Sequence, residues 1–105
     1  MTDDPGQIYL IHFERSYHHA RHYLGWTGNV SARLVRHRNG QGSPLLRVVT
    51  SAGIEWELVR LWQGDRSIER KLKKRKRSSG LCPVCLGVPL AADVLELVQT
   101  LRGAA

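Results

Sequence analysis

The sequence predicts a small α+β domain, a three-stranded antiparallel sheet flanked by helices, with a C-terminal amphipathic helix. Three observations carry that prediction. Residues 7–13 are rich in β-branched and aromatic types. Ile54-Glu55-Trp56-Glu57-Leu58 alternates apolar and acidic with the two-residue period of a strand. Leu90, Val94, Leu97 or Val98, and Leu101 recur at helical spacing. With 105 residues, 42% apolar and 24% charged, the chain has the size and composition of one globular domain with a small core.

Residues 1–5 read as a polar tail. The first strand covers residues 7–13, residues 14–21 read as a polar connection, and residues 22–26 form a second strand that pairs with the first. Gly25 weakens a strand unless another group needs its missing side chain, so close approach by something is expected there. Thr27-Gly28-Asn29 breaks the chain. A short helix follows over residues 30–37, with Val30, Leu34 and His37 on one face and Ser31 near its start. Residues 39–44 form a loop, residues 45–51 a second short helix, and residues 54–62 the third strand. Asp65 caps a helix over residues 66–77 whose only core residues are Ile68 and Leu72. Ser78-Ser79-Gly80 ends it, a Cys-containing loop follows, and Pro89 opens the last helix. The expected division is a domain over residues 6–80 and an added cap or interface over residues 81–105.

Charge is concentrated in one segment. The chain carries a formal +7, and residues 65–77 hold eight cations and two anions, leaving only +1 for everything else. A polyanion is the natural partner for such a segment. Arg70, Lys71, Lys73, Lys74, Arg75, Lys76 and Arg77 place seven cations in eight positions, the pattern of a rail for a phosphate backbone; a solvated face or a localisation signal is the other reading. DNA is the expected ligand, and RNA fits the same charge. The segment lacks the apolar face of an interfacial helix, which argues against a membrane partner. No apolar run approaches the roughly 18 residues of a membrane span, and the first residues do not read as a signal peptide, so a cytoplasmic location is expected.

Gly6-Gln7-Ile8-Tyr9 followed by Tyr23-Leu24-Gly25 resembles the paired signature of the GIY-YIG nuclease family. Ile8-Tyr9 matches the first motif, and Tyr23-Leu24-Gly25 matches the second with Leu for Ile. Arg33 and His37 occupy the places of the family's helical Arg and of the His that often follows it. Glu69 falls where the family carries a Glu on a helix after the third strand. The resemblance spans about seventy residues, from Gly6 to Arg77. Trp26 stands where some members have Lys, no Asn follows position 39, and the two tyrosine motifs are unusually far apart, which implies an enlarged hairpin near residues 15–21.

The resemblance implies a GIY-YIG fold and phosphodiester hydrolysis with one Mg²⁺ or Mn²⁺ ion held by Glu69. A single carboxylate suffices for an ion that keeps most of its water; otherwise Glu69 would be a surface residue paired with Lys73 four positions on. The resemblance implies Tyr9 as general base or orienter of the attacking water, which requires the nearby metal and cations to lower a phenol of ordinary pKa near 10. Tyr23 would help to position water or phosphate. Arg33 offers a planar fork for phosphate oxygens, and His37, one turn on, would bind phosphate or relay a proton. Arg36 adds a further cation for nucleic acid. A protein that keeps this fold for binding DNA without cutting it is the alternative.

Cys82-Pro83-Val84-Cys85 is half of a tetrahedral Zn²⁺ site. The remaining ligands would have to come from His12, His18, His19 or His22, if the hairpin approaches the loop. A metal-free packed knuckle is the simpler reading of the residues, and a redox motif lacks a helix start directly after the first Cys. His18 and His19 are expected to be exposed in the hairpin loop. A small zinc-dependent interaction module is a third functional reading. The apolar stripe of Leu90, Val94, Val98 and Leu101 fits either packing on the domain or an interface with a protein partner or a second copy.

Overall fold

The computed structural model describes residues 6–74 and 80–103. Three antiparallel strands, β1 (Gly6–Tyr17), β2 (Ala20–Thr27) and β3 (Trp56–Gly64), are ordered β2-β1-β3. The helices are α1 (Val30–Arg38), α2 (Pro44–Ser51), α3 (Arg66–Lys74), α4 (Pro83–Leu86) and α5 (Ala92–Gly103). The α+β class, the three-stranded sheet and the C-terminal helix are those predicted.

The central position of β1 explains its composition. A strand covered on both faces and both edges can be apolar throughout, and Ile8, Tyr9, Leu10, Ile11 and Phe13 are all fully buried. Alternation divides them between two layers. Tyr9, Ile11 and Phe13 pack with Val30 and Leu34 of α1, Leu46 and Val49 of α2, Trp56 and Leu58 of β3, and Val94 and Val98 of α5. Leu10 packs on the opposite face with Val59, Leu81 and Cys82. The register of β1 against β3 shifts between Leu10, which pairs with Arg60, and Ile11, which pairs with Leu58. Val59, the extra residue, belongs to the second layer.

The hairpin differs from its expected form. In place of a polar loop over residues 14–21, β1 continues to Tyr17 and a two-residue turn at His18 and His19 leads into β2. Both turn histidines are exposed, and His18 takes a left-handed backbone at φ 54°. Residues 7–12 of β1 pair with 27–22 of β2, but the register shifts before Tyr17 pairs with Ala20. Arg21 occupies the irregular stretch, its guanidinium donating to the Phe13 and Glu14 carbonyls at 2.9 and 3.0 Å. Past Phe13, residues 14–16 are polar and exposed and only Tyr17 returns to the core cluster, so the alternation that marks a strand is absent.

Local caps set the helix limits. Asn29, rather than Ser31, caps α1, its Oδ1 accepting from the Ala32 N–H at 3.1 Å. Ser43 caps α2, with Pro44 in the first turn. Asp65 caps α3 as expected, accepting from the Ser67 and Ile68 N–H groups. Neither Ile68 nor Leu72 is fully buried; Ile68 is 37% exposed and Leu72 is half-buried against the second layer. The last three residues of the predicted helix, 75–77, lie outside the described residues. A short helix, α4, starts at Pro83 directly after Cys82, contrary to the reading that no helix begins there, because Pro is favoured in a first turn.

The stripe on α5 is already occupied. Val94 and Val98 are buried on the sheet, and Leu90, Leu97 and Leu101 pack against the same cluster. This face packs on the domain, the first of the two roles the sequence allowed it.

Gly25 has the reason the sequence required. Gly25 lies opposite Tyr9, and a Cβ there would stand 2.6 Å from both Cζ and Oη of that tyrosine. Gly25→Ala is therefore expected to destabilise the fold by roughly 1–3 kcal/mol through overpacking. Gly28→Ala, with nothing within 4 Å of the added carbon, serves as the control in thermal unfolding.

Candidate active site and metal centre

Tyr9, Tyr23 and His37 of the nuclease-like signature meet on the first face of the sheet, and Arg33 and Glu69 bear on them through their charges. Tyr9 comes from mid-β1, Tyr23 from β2, Arg33 and His37 from α1, and Glu69 from α3. The Tyr9 hydroxyl lies 2.8 Å from His37 Nε2. The rings of Tyr9, Tyr23 and His37 form a closed triangle, with centroids 5.9, 5.8 and 5.6 Å apart. Tyr9 also has the Tyr23 ring beside it, and the charges of Arg33 and Glu69 act on its hydroxyl.

Depth separates these residues. Tyr9 is fully buried and His37 is 1% exposed, while Tyr23, Arg33 and Glu69 are half-buried. His37 therefore cannot grip a phosphate directly, as the sequence reading allowed; it touches the site through Tyr9. Its third-turn position on α1, on the stripe with Val30 and Leu34, points it into the core. Gly42 closes the space behind it, since a Cβ there would stand 2.8 Å from His37 Nδ1. That buried Nδ1 has no hydrogen-bond partner among the described residues. An unpaired buried polar atom costs about 1–3 kcal/mol, so this one marks a place where packing has not been optimised for stability.

Burial decides the protonation states. It pushes the Tyr9 hydroxyl well above its usual range, helped by Tyr23 and by Glu69; Arg33 pulls the other way without prevailing. Among the protein's own groups Tyr9 is thus held as a neutral O–H donor, and Arg33 by itself does not make it a base. Burial, with Arg33 and Arg36, lowers His37 to about 4, so at neutral pH its imidazole is uncharged and can accept a proton.

A folded pKa near 4 against an ordinary 6.5 means that the unfolded chain binds more protons between those values. The stability associated with neutral His37 is complete above about pH 6.5 and is lost as pH falls toward 4, amounting to roughly 2–3 kcal/mol. Urea unfolding of wild type and His37→Gln across that window should show a steeper loss in the wild type.

Glu69 makes the ion pair with Lys73 expected of a surface glutamate, at 3.5 Å, yet its side chain is only 16% exposed and its charge is felt at Tyr9. Arg70, Lys71, Lys73 and Lys74 stand exposed on α3, and Arg36 on α1. Arg75, Lys76 and Arg77 lie outside the described residues. Trp26, which replaces the Lys of some GIY-YIG members, ties β2 to the end of β3, its Nε1 donating to the Gly64 carbonyl at 3.0 Å.

The second face holds a different group. His12 and His22 are cross-strand partners, and α4 brings Cys82 and Cys85 over them. Their four ligand atoms all lie within 4.8 Å of one another, a group that can hold a metal ion. His12 Nδ1 is 3.1 Å from His22 Nε2 and 3.4 Å from Cys82 Sγ; Cys85 Sγ is 3.4 Å from His22 Nε2 and 3.7 Å from His12 Nδ1. Burial and the nearby Arg21 favour the neutral form of both imidazoles, the form that ligates metals. His18 and His19 take no part. The donor set is soft and suits zinc-type ions better than Mg²⁺ or Mn²⁺. The cleft between α1, β3 and α5, about 600 Å³ in volume, shares no residue with either group.

Comparison with family models, with curated proteins and with solved structures yields no match in any of the three. Sequence reasoning missed Gly42 and the cap at Asn29. It reached His12 and His22 only as two of four candidates, because the shifted hairpin register hides which histidines face each other.

Proposed function

We propose that this chain is a divalent-metal-dependent DNA endonuclease that hydrolyses phosphodiester bonds. The observation that carries the reading is that Tyr9, Tyr23 and His37 meet on one face of the sheet while the charges of Arg33 and Glu69, from two helices, act at the Tyr9 hydroxyl. Such a set is assembled only by the tertiary fold, and each member has a use in phosphoryl chemistry. The buried neutral His37 beneath Tyr9 adds an acceptor with no evident structural need.

Glu69 fits the ion the reading requires: a half-buried hard-oxygen donor, and one carboxylate is enough for Mg²⁺ or Mn²⁺. Bound there, the ion would supply Lewis-acid stabilisation to the phosphoryl group. Arg33 holds two phosphate oxygens through its fork and offsets the charge that builds in the transition state. Tyr23 orients the attacking water at the surface. As the water gives up its proton, Tyr23 accepts it and passes its own to Tyr9, which passes its own to His37 Nε2. The new P–O bond forms as the bond to the leaving 3′-oxygen breaks; the water's proton ends on the imidazole, both tyrosines are again neutral, and the leaving oxygen takes a proton from solvent. The exposed cations of α3 and Arg36 hold the DNA backbone without reading its sequence.

Incubation of supercoiled plasmid with the full chain tests this reading. Nicked circles are expected with Mg²⁺ or Mn²⁺ and none in buffer without an added divalent ion. A second reading, a DNA-binding protein without chemistry, is favoured by the complete burial of Tyr9; it predicts binding with no nicking under any condition. The cation rail makes a separate prediction. Replacing Lys71 and Lys74 by Gln is expected to reduce the slope of log affinity against log salt by roughly 1.8, about 0.9 for each phosphate no longer neutralised. Titration of fluorescent duplex over a salt series measures it.

A further inference from the structure

We infer that His12, His22, Cys82 and Cys85 form a closed, structural Zn²⁺ site that fastens the Cys knuckle to the β1–β2 hairpin. This inference stands independently of the nuclease reading, since the four residues occupy the opposite face of the sheet from Tyr9 and Tyr23.

Distance is the first support. A tetrahedral zinc with Zn–S near 2.3 Å and Zn–N near 2.0–2.1 Å sets ligand edges of roughly 3.3 Å between nitrogens and roughly 3.5 Å between nitrogen and sulfur. The edges here are 3.1 Å between the histidine nitrogens and 3.4, 3.4 and 3.7 Å between nitrogen and sulfur. Four donors from distant parts of the chain, up to 73 residues apart in sequence, already lie within 4.8 Å of one another.

Hydrogen bonding does not account for the same geometry. His12 Nδ1 has three neighbours at 3.1, 3.4 and 3.7 Å, but an imidazole nitrogen offers one proton or one lone pair. One cation at the centre satisfies all four atoms together. The two cysteines are not joined to each other as a disulfide, and Cys82 is fully buried. On binding, each thiol releases one proton to solvent, and a divalent ion with two thiolates and two neutral imidazoles leaves the site uncharged. Neutrality suits a site packed beside Leu10, Val59 and Leu81.

The ligand set also defines the role. Two sulfurs and two nitrogens select zinc over hard cations, and four protein ligands leave no open position for a substrate. The site is therefore a staple. Cys82 follows the basic segment in sequence, and His12 and His22 belong to the strands that carry Tyr9 and Tyr23. Zinc ties the Cys82–Cys85 knuckle to the hairpin.

Elemental analysis of the full chain, purified without chelator, tests the inference. About one zinc per chain is expected, and Co²⁺ substitution should give tetrahedral d–d absorption with thiolate-to-cobalt charge transfer. Cys85 is exposed, so Cys85→Ser should fold while binding zinc at least roughly 100-fold more weakly, given that changes beyond the ligands already cost 10- to 100-fold. His22→Ala should behave likewise, and His19→Ala should retain full zinc. Wild-type protein that is folded, lacks stoichiometric zinc and gives no cobalt spectrum on titration would overturn the site, as would full zinc retention in both ligand variants.

Discussion

Tyr9→Phe is expected to lower plasmid nicking by roughly 10²- to 10⁴-fold, the range of a lost proton-transfer group, with duplex affinity unchanged. The substitution removes one oxygen from a residue that touches no solvent, so it leaves the DNA-facing surface as it was. It cuts the link between Tyr23 and His37 Nε2, which receives the Tyr9 hydroxyl at 2.8 Å. His37 then has two unpaired nitrogens in the core, at a further cost of about 1–3 kcal/mol, which thermal unfolding will report. Single-turnover rates measured well below the melting temperature separate the two effects. His37→Gln, which keeps an acceptor near Tyr9 but is a far poorer base, should lose rate with a smaller loss of stability. A relay predicts that Tyr9→Phe and His37→Gln are not additive, because either change breaks the same path.

Arg33→Lys should reduce nicking by roughly 10²- to 10³-fold, the scale of a removed transition-state donor. The charge is retained, so electrostatic attraction of DNA survives and the loss falls on the chemical step. Lysine cannot present two parallel N–H groups to a phosphate, and its point charge reproduces only part of the stabilisation. The same substitution leaves a cation near His37, whose low pKa arises mainly from burial. A rate loss with an unchanged pH profile is the expected signature. Arg36→Lys, at an exposed position beside the site, should alter the rate little and serves as the comparison.

The sheet was legible in the sequence because its central strand is apolar and β-branched and its third strand alternates. The helix α1 was legible from the spacing of Val30 and Leu34, and Asp65 as a cap. Gly25 announced a close approach, and the Tyr9 ring provides it. What could not be read was depth. A histidine among Arg33, Arg36 and Arg38 looks solvated, and only the packing of α1 on the sheet turns it inward beneath Tyr9. The hairpin length was hidden because residues 14–16 are polar and exposed, and its register because Arg21 props open an irregular stretch. That irregular register decides that His12, rather than a turn histidine, meets His22 and the knuckle. For the same reason the Cys knuckle, which the residues by themselves left without further ligands, stands in a four-residue group that could hold a metal ion.

The most direct test of the proposed chemistry compares wild type with Glu69→Ala in nicking of supercoiled plasmid with Mg²⁺ or Mn²⁺, alongside duplex binding and zinc content. Nicking by the wild type that disappears in the variant, with binding and zinc retained, is the predicted result. Equal nicking by both proteins, or none by either when both bind DNA, would contradict it.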